Sequence, residues 1–143
     1  MGNTLSNITT NNITIGFDDM KTAIDKDYLI ITTAGATESD NLIRNTTHPI
    51  DEENVINELI SSNNMSKYII IYGKNNCDPN MYLKYRDLIS FGFFNVFVYA
   101  GGLFEWMLLQ DIYGDDNFPS TIYELDILRF KPQSILNGVK LLT

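Results

Sequence analysis

Residues 67–106 read KYIIIYGKNNCDPNMYLKYRDLISFGFFNVFVYAGGLFEW, and this stretch decides the fold. It opens on Tyr68-Ile69-Ile70-Ile71-Tyr72, a β-branched and aromatic run too short for a helix and apolar on both faces. Central strands of parallel sheets read this way because helices cover both of their faces. A polar loop, Gly73 to Asp78, follows. Asp78-Pro79 predicts an N-cap and then a proline at the first helical position, where a missing N–H costs nothing. Met81, Tyr85, Leu88 and Ile89 recur at helical spacing, and Gly92 suits the helix C-terminus. Asn95 to Tyr99 is a second apolar strand, and Gly101-Gly102 turns the chain into a further apolar segment. Strand, loop, helix, strand at this length predicts a right-handed crossover between parallel strands. In such a unit ligands bind at the loop beyond the strand's carboxyl end, against a helix N-terminus.

Four features of the stretch carry a more specific likeness: Gly92-Phe93 at the end of the helix, Asn95-Val96 opening the second strand, Gly101-Gly102, and Trp106. In that order they resemble the second half of a rhodanese-like domain. The resemblance implies an α/β fold with a mostly parallel five-stranded sheet flanked by helices on both faces, the fifth strand lying near residues 46–50. It also implies a site. In active members a cysteine directly after the strand carries a persulfide sulfur, cradled by loop N–H groups, and the loop runs Cys-x-x-Gly-x-Arg. Here it runs Gly73-Lys74-Asn75-Asn76-Cys77-Asp78, so glycine stands at the nucleophile's place and aspartate at the arginine's. The path to Gly92-Phe93 is slightly longer than the sulfurtransferase pattern and nearer to that of related phosphatases, whose loops also begin with cysteine.

Composition narrows the function classes. The chain has 143 residues, one domain's worth, with 44% hydrophobic residues and a mean hydropathy of -0.09, as expected of a soluble globular protein. Its formal net charge is -8 and its pI about 4.4. Without a basic stripe such a chain is repelled by phosphate backbones, which argues against nucleic-acid binding. One cysteine forms no internal disulfide, in keeping with a reducing, cytoplasmic setting. No apolar run is long enough to span a membrane, and no secretory signal is visible. The sequons at Asn7, Asn12, Asn45 and Asn64 are read as chance products of an Asn- and Thr-rich composition. That Asn- and Ile-rich, acidic composition also suggests an AT-rich genome, the one support for a viral source.

Working outward, Met1-Gly2-Asn3-Thr4-Leu5-Ser6 fits the N-myristoylation pattern, with Gly2 as acceptor and Ser6 in the sixth place. One myristoyl chain gives only marginal membrane affinity, and no lysine or arginine before Lys21 would reinforce it. Residues 1–12 are expected to form a flexible tail and 13–143 a single domain. Ile13-Thr14-Ile15 reads as a short strand, Asp18 as the cap of a brief helix holding Met20, Ala23 and Ile24, and Tyr28 to Thr32 as the next strand. Rhodaneses commonly close that strand with Asp-x-Arg and continue with Gly-His-Ile. The matching positions here are Ile31 and Thr33, then Asn41-Leu42-Ile43, so the layout persists without its polar signature. Thr37 to Ile50 is an irregular connection containing His48, the sole histidine, beside which no motif places a nucleophile. Asp51 predicts the cap of a helix with Val55, Ile56, Leu59 and Ile60 on one face. After Gly102 a largely buried helix is expected, with Trp106 in the core. Tyr113-Gly114-Asp115-Asp116 is a turn. Pro119-Ser120-Thr121 predicts a short helix through Leu128, stopped by Lys131-Pro132, and Ile135 to Leu142 is apolar enough to pack back on the domain.

At the loop, Cys77 is the one candidate for catalysis. A helix N-terminus lowers a thiol's pKa, whereas the neighbouring Asp78 raises it and repels an anionic donor. Gly73 permits close backbone approach and Lys74 supplies one positive charge, so the loop suits a protein partner or a small anion. The favoured reading is a rhodanese-like domain without sulfurtransferase activity, a binding or regulatory module with no metal and no cofactor, weakly attached to membranes if Gly2 is acylated. The alternatives are a sulfurtransferase, phosphatase or redox enzyme using Cys77, and a virion-associated structural protein of a large virus.

Overall fold

The computed structural model describes residues 12–34 and 41–136. In chain order its elements are β1 (Thr14–Ile15), α1 (Phe17–Asp25), β2 (Leu29–Thr32), α2 (Glu52–Ser61), β3 (Ile69–Tyr72), α3 (Asn80–Ser90), β4 (Val96–Tyr99), α4 (Gly102–Tyr113) and a 3₁₀ turn (Ile127–Phe130). The strands form one sheet in the order β1-β4-β3-β2, and every pairing is parallel. Ile69 lies between Leu29 and Val96, and Tyr72 between Thr32 and Tyr99. The central strand is the run of isoleucines, buried on both sides as its composition requires.

Strand periodicity sorts the core into two layers. Leu29, Ile31, Ile69, Ile71, Val96 and Val98 face α2 and α3, where Ile56, Met81, Leu88 and Phe93 meet them. Ile30, Ile70, Tyr72 and Tyr99 face α1 and α4 and pack with Met20, Ala23, Leu103 and Trp106. Trp106 is fully buried, edge-on to both Tyr99 and Phe118. Gly92 ends α3 with φ +109, a conformation open to glycine and strained for any other residue.

Several expectations change in detail. The fifth strand is not formed among the described residues. Thr46 makes one parallel bridge to Ile30, Thr47 N–H donates to Ile30 O at 2.8 Å, and His48-Pro49 then turns the chain into α2, Asp51 N–H returning to His48 O. Pro49 has no N–H with which to extend a ladder. Gly16, not Asp18, caps α1, because Phe17 joins the helix and packs on Phe118; Asp18 and Asp19 fall in the first turn. Asp51 is the N-cap of α2 but makes no side-chain capping bond. Ile60, Ile89, Leu108 and Ile112 reach solvent, so α4 is buried on one face only.

The short helix expected from Pro119 is absent. Trp106 Nε1 donates to Pro119 O, Gln110 Nε2 to Phe118 O, and Thr121 N–H to Leu42 O. The two carbonyls that the first turn of such a helix would use internally, those of Phe118 and Pro119, are committed to side chains of α4. Only Ile127–Phe130 coils, and Ile122, Leu125 and Leu128 are exposed. Gly2, Ser6 and the tail through residue 11, residues 37–40 of the irregular connection, and the chain beyond Leu136 lie outside the described residues. No helix among the described residues is long and apolar enough to cross a membrane.

The connection after β2 is fastened by one phenol. Thr46 Oγ1 donates to Ile43 O at 2.6 Å, so the 2.8 Å contact between Thr46 Oγ1 and Tyr72 Oη is a bond donated by tyrosine; Ile43 N–H donates to the same Oη at 3.1 Å. Burial pushes the Tyr72 pKa from 10.0 up to about 12. Tyr72→Phe leaves the Ile43 N–H without its acceptor and should cost about 1–3 kcal/mol in urea unfolding at neutral pH. The contribution of Tyr72 is whole below pH 10, where the unfolded phenol keeps its proton, and is lost as pH rises towards 12. The variant's stability should therefore fall less steeply than the wild type's across that window.

Candidate functional site

The loop 73–78 leaves the carboxyl end of β3 and is held from one side by the start of α4. Leu103 N–H donates to Gly73 O and Phe104 N–H to Lys74 O, both at 2.9 Å. Two helix-end donors with no partner inside the helix are thereby satisfied. The approach needs glycine at position 102, where φ is +68 and a Cβ would come within 2.7 Å of Gly73 O and 3.0 Å of Asn75 N.

Asn75 fastens the loop from within. Its buried amide donates through Nδ2 to Phe130 O at 3.0 Å and accepts through Oδ1 from Cys77 N–H at 2.9 Å, while Asp78 N–H donates to Asn75 O at 3.3 Å. Asn76 is exposed and Lys74 half-buried. Cys77 is a free, exposed thiol at the outer rim, its Sγ 3.7 Å from Asn76 Oδ1. The sulfur thus sits beside a neighbouring side chain rather than inside the loop.

Asp78 is the residue turned inward. Its Oδ2 accepts from Thr33 Oγ1 at 2.8 Å, and its Oδ1 accepts from Asn80 N–H at 2.9 Å. Pro79, not Asp78, is the N-cap of α3, one residue later than the sequence suggests. The carboxylate serves two elements at once, the end of β2 and the start of α3. Its position decides what can stand at residue 73. A Cβ built on Gly73 would fall against Asp78 Oδ2, with Thr33 Oγ1 at 2.9 Å and Met81 Cγ at 3.0 Å. Gly73 itself is buried.

The structure therefore brings Gly73, Lys74, Asn75 and Asp78 together around a filled interior and leaves Asn76 and Cys77 outside. Two participants were not legible as such. Thr33 stood out only as a missing arginine, and Phe130 contributes a backbone oxygen, which leaves no trace in sequence. Glu105 is a third: it accepts from Tyr99 Oη at 2.7 Å near Gly101. Burial, reinforced by Glu105, pushes the Tyr99 phenol far above the ordinary tyrosine range. His48 lies exposed in the connection before α2, its Nδ1 accepting from Ile50 N–H. No cluster of His, Cys, Asp and Glu suited to a metal ion occurs among the described residues.

Comparison with known proteins identifies the fold that carries this loop. The family model for the rhodanese-like domain matches residues 28–109, which takes in β2 through most of α4. Among solved structures, one from an Anabaena protein aligns over 90% of this chain and 87% of its own, with 22% identity and a TM-score of 0.54, a likeness of fold. The rhodanese-like domain of an Anabaena protein aligns over 66% of this chain and 99% of its own at 26% identity, with a TM-score of 0.47. No curated protein matches. With more than half of its length covered by that family model, the chain belongs to the rhodanese-like domain family.

Proposed function

We propose that this rhodanese-like domain does not transfer sulfur and works as a binding module. One observation carries the reading: the Asp78 carboxylate, held by Thr33 Oγ1, occupies the space that a side chain at position 73 would need. A persulfide mechanism requires a thiol there, converging N–H groups around its sulfur, and no negative charge facing the anionic donor. Gly73 supplies no thiol, and the carboxylate opposes thiosulfate by direct repulsion. Cys77 is not a ready substitute. It lies on the exposed rim, and its own N–H is already given to Asn75 Oδ1.

The acceptor pattern at Gly2 and Ser6 adds weak, reversible membrane attachment to this reading. Mass spectrometry of protein from a myristoylation-competent host should find the acyl group on Gly2, and Gly2→Ala should abolish flotation with vesicles. A free amino-terminal glycine would remove the membrane from the account.

Thiocyanate formation from thiosulfate and cyanide should be indistinguishable from the uncatalysed rate for the wild type and for Cys77→Ser alike. Turnover by the wild type that disappears in Cys77→Ser would show that Cys77 has taken over the chemistry. Gly73→Ala tests the filled interior directly. It should lower stability by about 1–3 kcal/mol through overpacking. In an Asp78→Gly background the same substitution should cost measurably less, a coupling that a double-mutant cycle in urea reads out. Gly73→Cys should restore at most slight activity while Asp78 is present.

A further inference from the structure

Near the amino ends of β2, β3 and β4, on the face of the sheet that packs against α1, the core is left open. Tyr28 and Tyr68 stack with ring centroids 4.7 Å apart and planes at 19°, and Phe97 continues the ladder at 6.1 Å and 20°. β1 does not cover these rings, because its two residues pair no further back along β4 than Val98. What remains is a groove of about 250 Å³ lined by Ile15, Tyr28, Tyr68, Ile70 and Phe97, with Asp19 of α1 along one side. Apolar cavities of about 150 Å³ already admit a benzene-sized guest. The apolar residues form one surface, since they border the same cavity and the three rings touch in sequence. Tyr68 stands 41% exposed between its two neighbours. Its faces are spent on Tyr28 and Phe97, so the ladder presents edges to the groove rather than an open π face for a cation.

We infer that this groove is the docking site for the myristoyl chain of Gly2, which it shelters in water and gives up to a bilayer. The inference rests on the acylation of Gly2 proposed above. Reach is the first argument for this occupant. The described chain begins at Asn12, three residues before Ile15 in the groove wall. Ten steps of chain join Gly2 to Asn12, up to about 35 Å, so the acyl group is tethered beside the groove at the effective concentration of an intramolecular ligand. Charge is the second argument. Asp19 is the one charged residue in the lining, and it opposes the carboxylate of a free fatty acid, whereas an amide-linked chain brings no charge. Lys21 lies over the Phe118 ring at 4.8 Å, and Lys67 borders the neighbouring cavity that Tyr28 shares, so neither belongs to this lining. A docked chain is withheld from the membrane. Attachment then falls below the already marginal affinity of a free myristoyl group.

The test uses the full chain acylated by coexpression with the transferase, its Gly2→Ala counterpart, and vesicles of neutral phosphatidylcholine, which remove the leaflet's charge from the comparison. A ¹³C-labelled myristoyl chain should show nuclear Overhauser contacts to the Tyr68 and Phe97 rings in vesicle-free solution. The acylated protein should also melt higher than Gly2→Ala, because a guest held only by the folded state stabilises it. Tyr68→Glu brings a charge into the groove and should abolish that difference. Its acylated form should bind the vesicles about tenfold more strongly than acylated wild type, the ratio expected when the chain is docked about nine-tenths of the time. Tyr123→Glu, the same change at a residue 71% exposed and outside the groove, should leave both readings unaltered. An acylated protein without the ring contacts, melting with Gly2→Ala, would overturn the docking and leave the membrane attachment standing. A free Gly2 would overturn both. Saturable binding of added myristate to Gly2→Ala would give the groove to a free fatty acid instead, and a dimer that Tyr68→Glu dissociates in sedimentation would give it to a second copy.

Discussion

The arrangement of the site depends on one contact between backbones: the start of α4 donating to the first two carbonyls of the loop that follows β3. Because those bonds run from a helix end to a loop, they fix the loop's position against the sheet without using any side chain. They demand that the two backbones touch, and position 102 meets the demand with a glycine in the left-handed region. Everything placed by the loop, including the inward aspartate and the outward thiol, is placed relative to that seam.

Given the seam, the chemistry follows from which side chain enters the space left at Gly73. Asp78 enters it, and once there it has reasons to stay: a hydroxyl from the end of β2 and a backbone N–H from α3 each find one of its oxygens. An ionised carboxylate with both oxygens engaged is stable in a half-buried setting in a way that a bare one is not. The loop thereby carries its own negative group in the space beside Gly73.

The sheet was largely legible because a run such as Tyr68 to Tyr72 leaves few alternatives: it is too short for a helix, too apolar for an edge, and followed by a helix-start signal. The α3 and β4 expectations hold for the same reason, since local pattern and long-range packing agree there. Legibility failed where the deciding partner is distant in sequence. Residues 119–128 have the composition of a short helix, but Trp106 and Gln110 claim the carbonyls of Pro119 and Phe118 that its first turn would use. At the site, a glycine at the first place of the loop after β3 was readable from the sequence alone. The occupation of its space by Asp78 was not, because Thr33 lies 45 residues away and gives no local sign of its role. The fifth strand implied by the resemblance gave way to a single bridge, where Pro49 interrupts the run.

The strand order has a consequence for how the molecule assembles. β2 and β3 and then β3 and β4 are neighbours both in sequence and in space, so that crossover unit can form from contacts of moderate range. β1 is different: its two residues pair Thr14 with Val98 and Ile15 with Tyr99, across most of the chain. Loop closure over that separation precedes any gain from the two-residue ladder. During synthesis β1 emerges first and must wait for its partner until β4 has left the ribosome. It is therefore expected to dock last and, being short and at the sheet's edge, to open first in native-state hydrogen exchange.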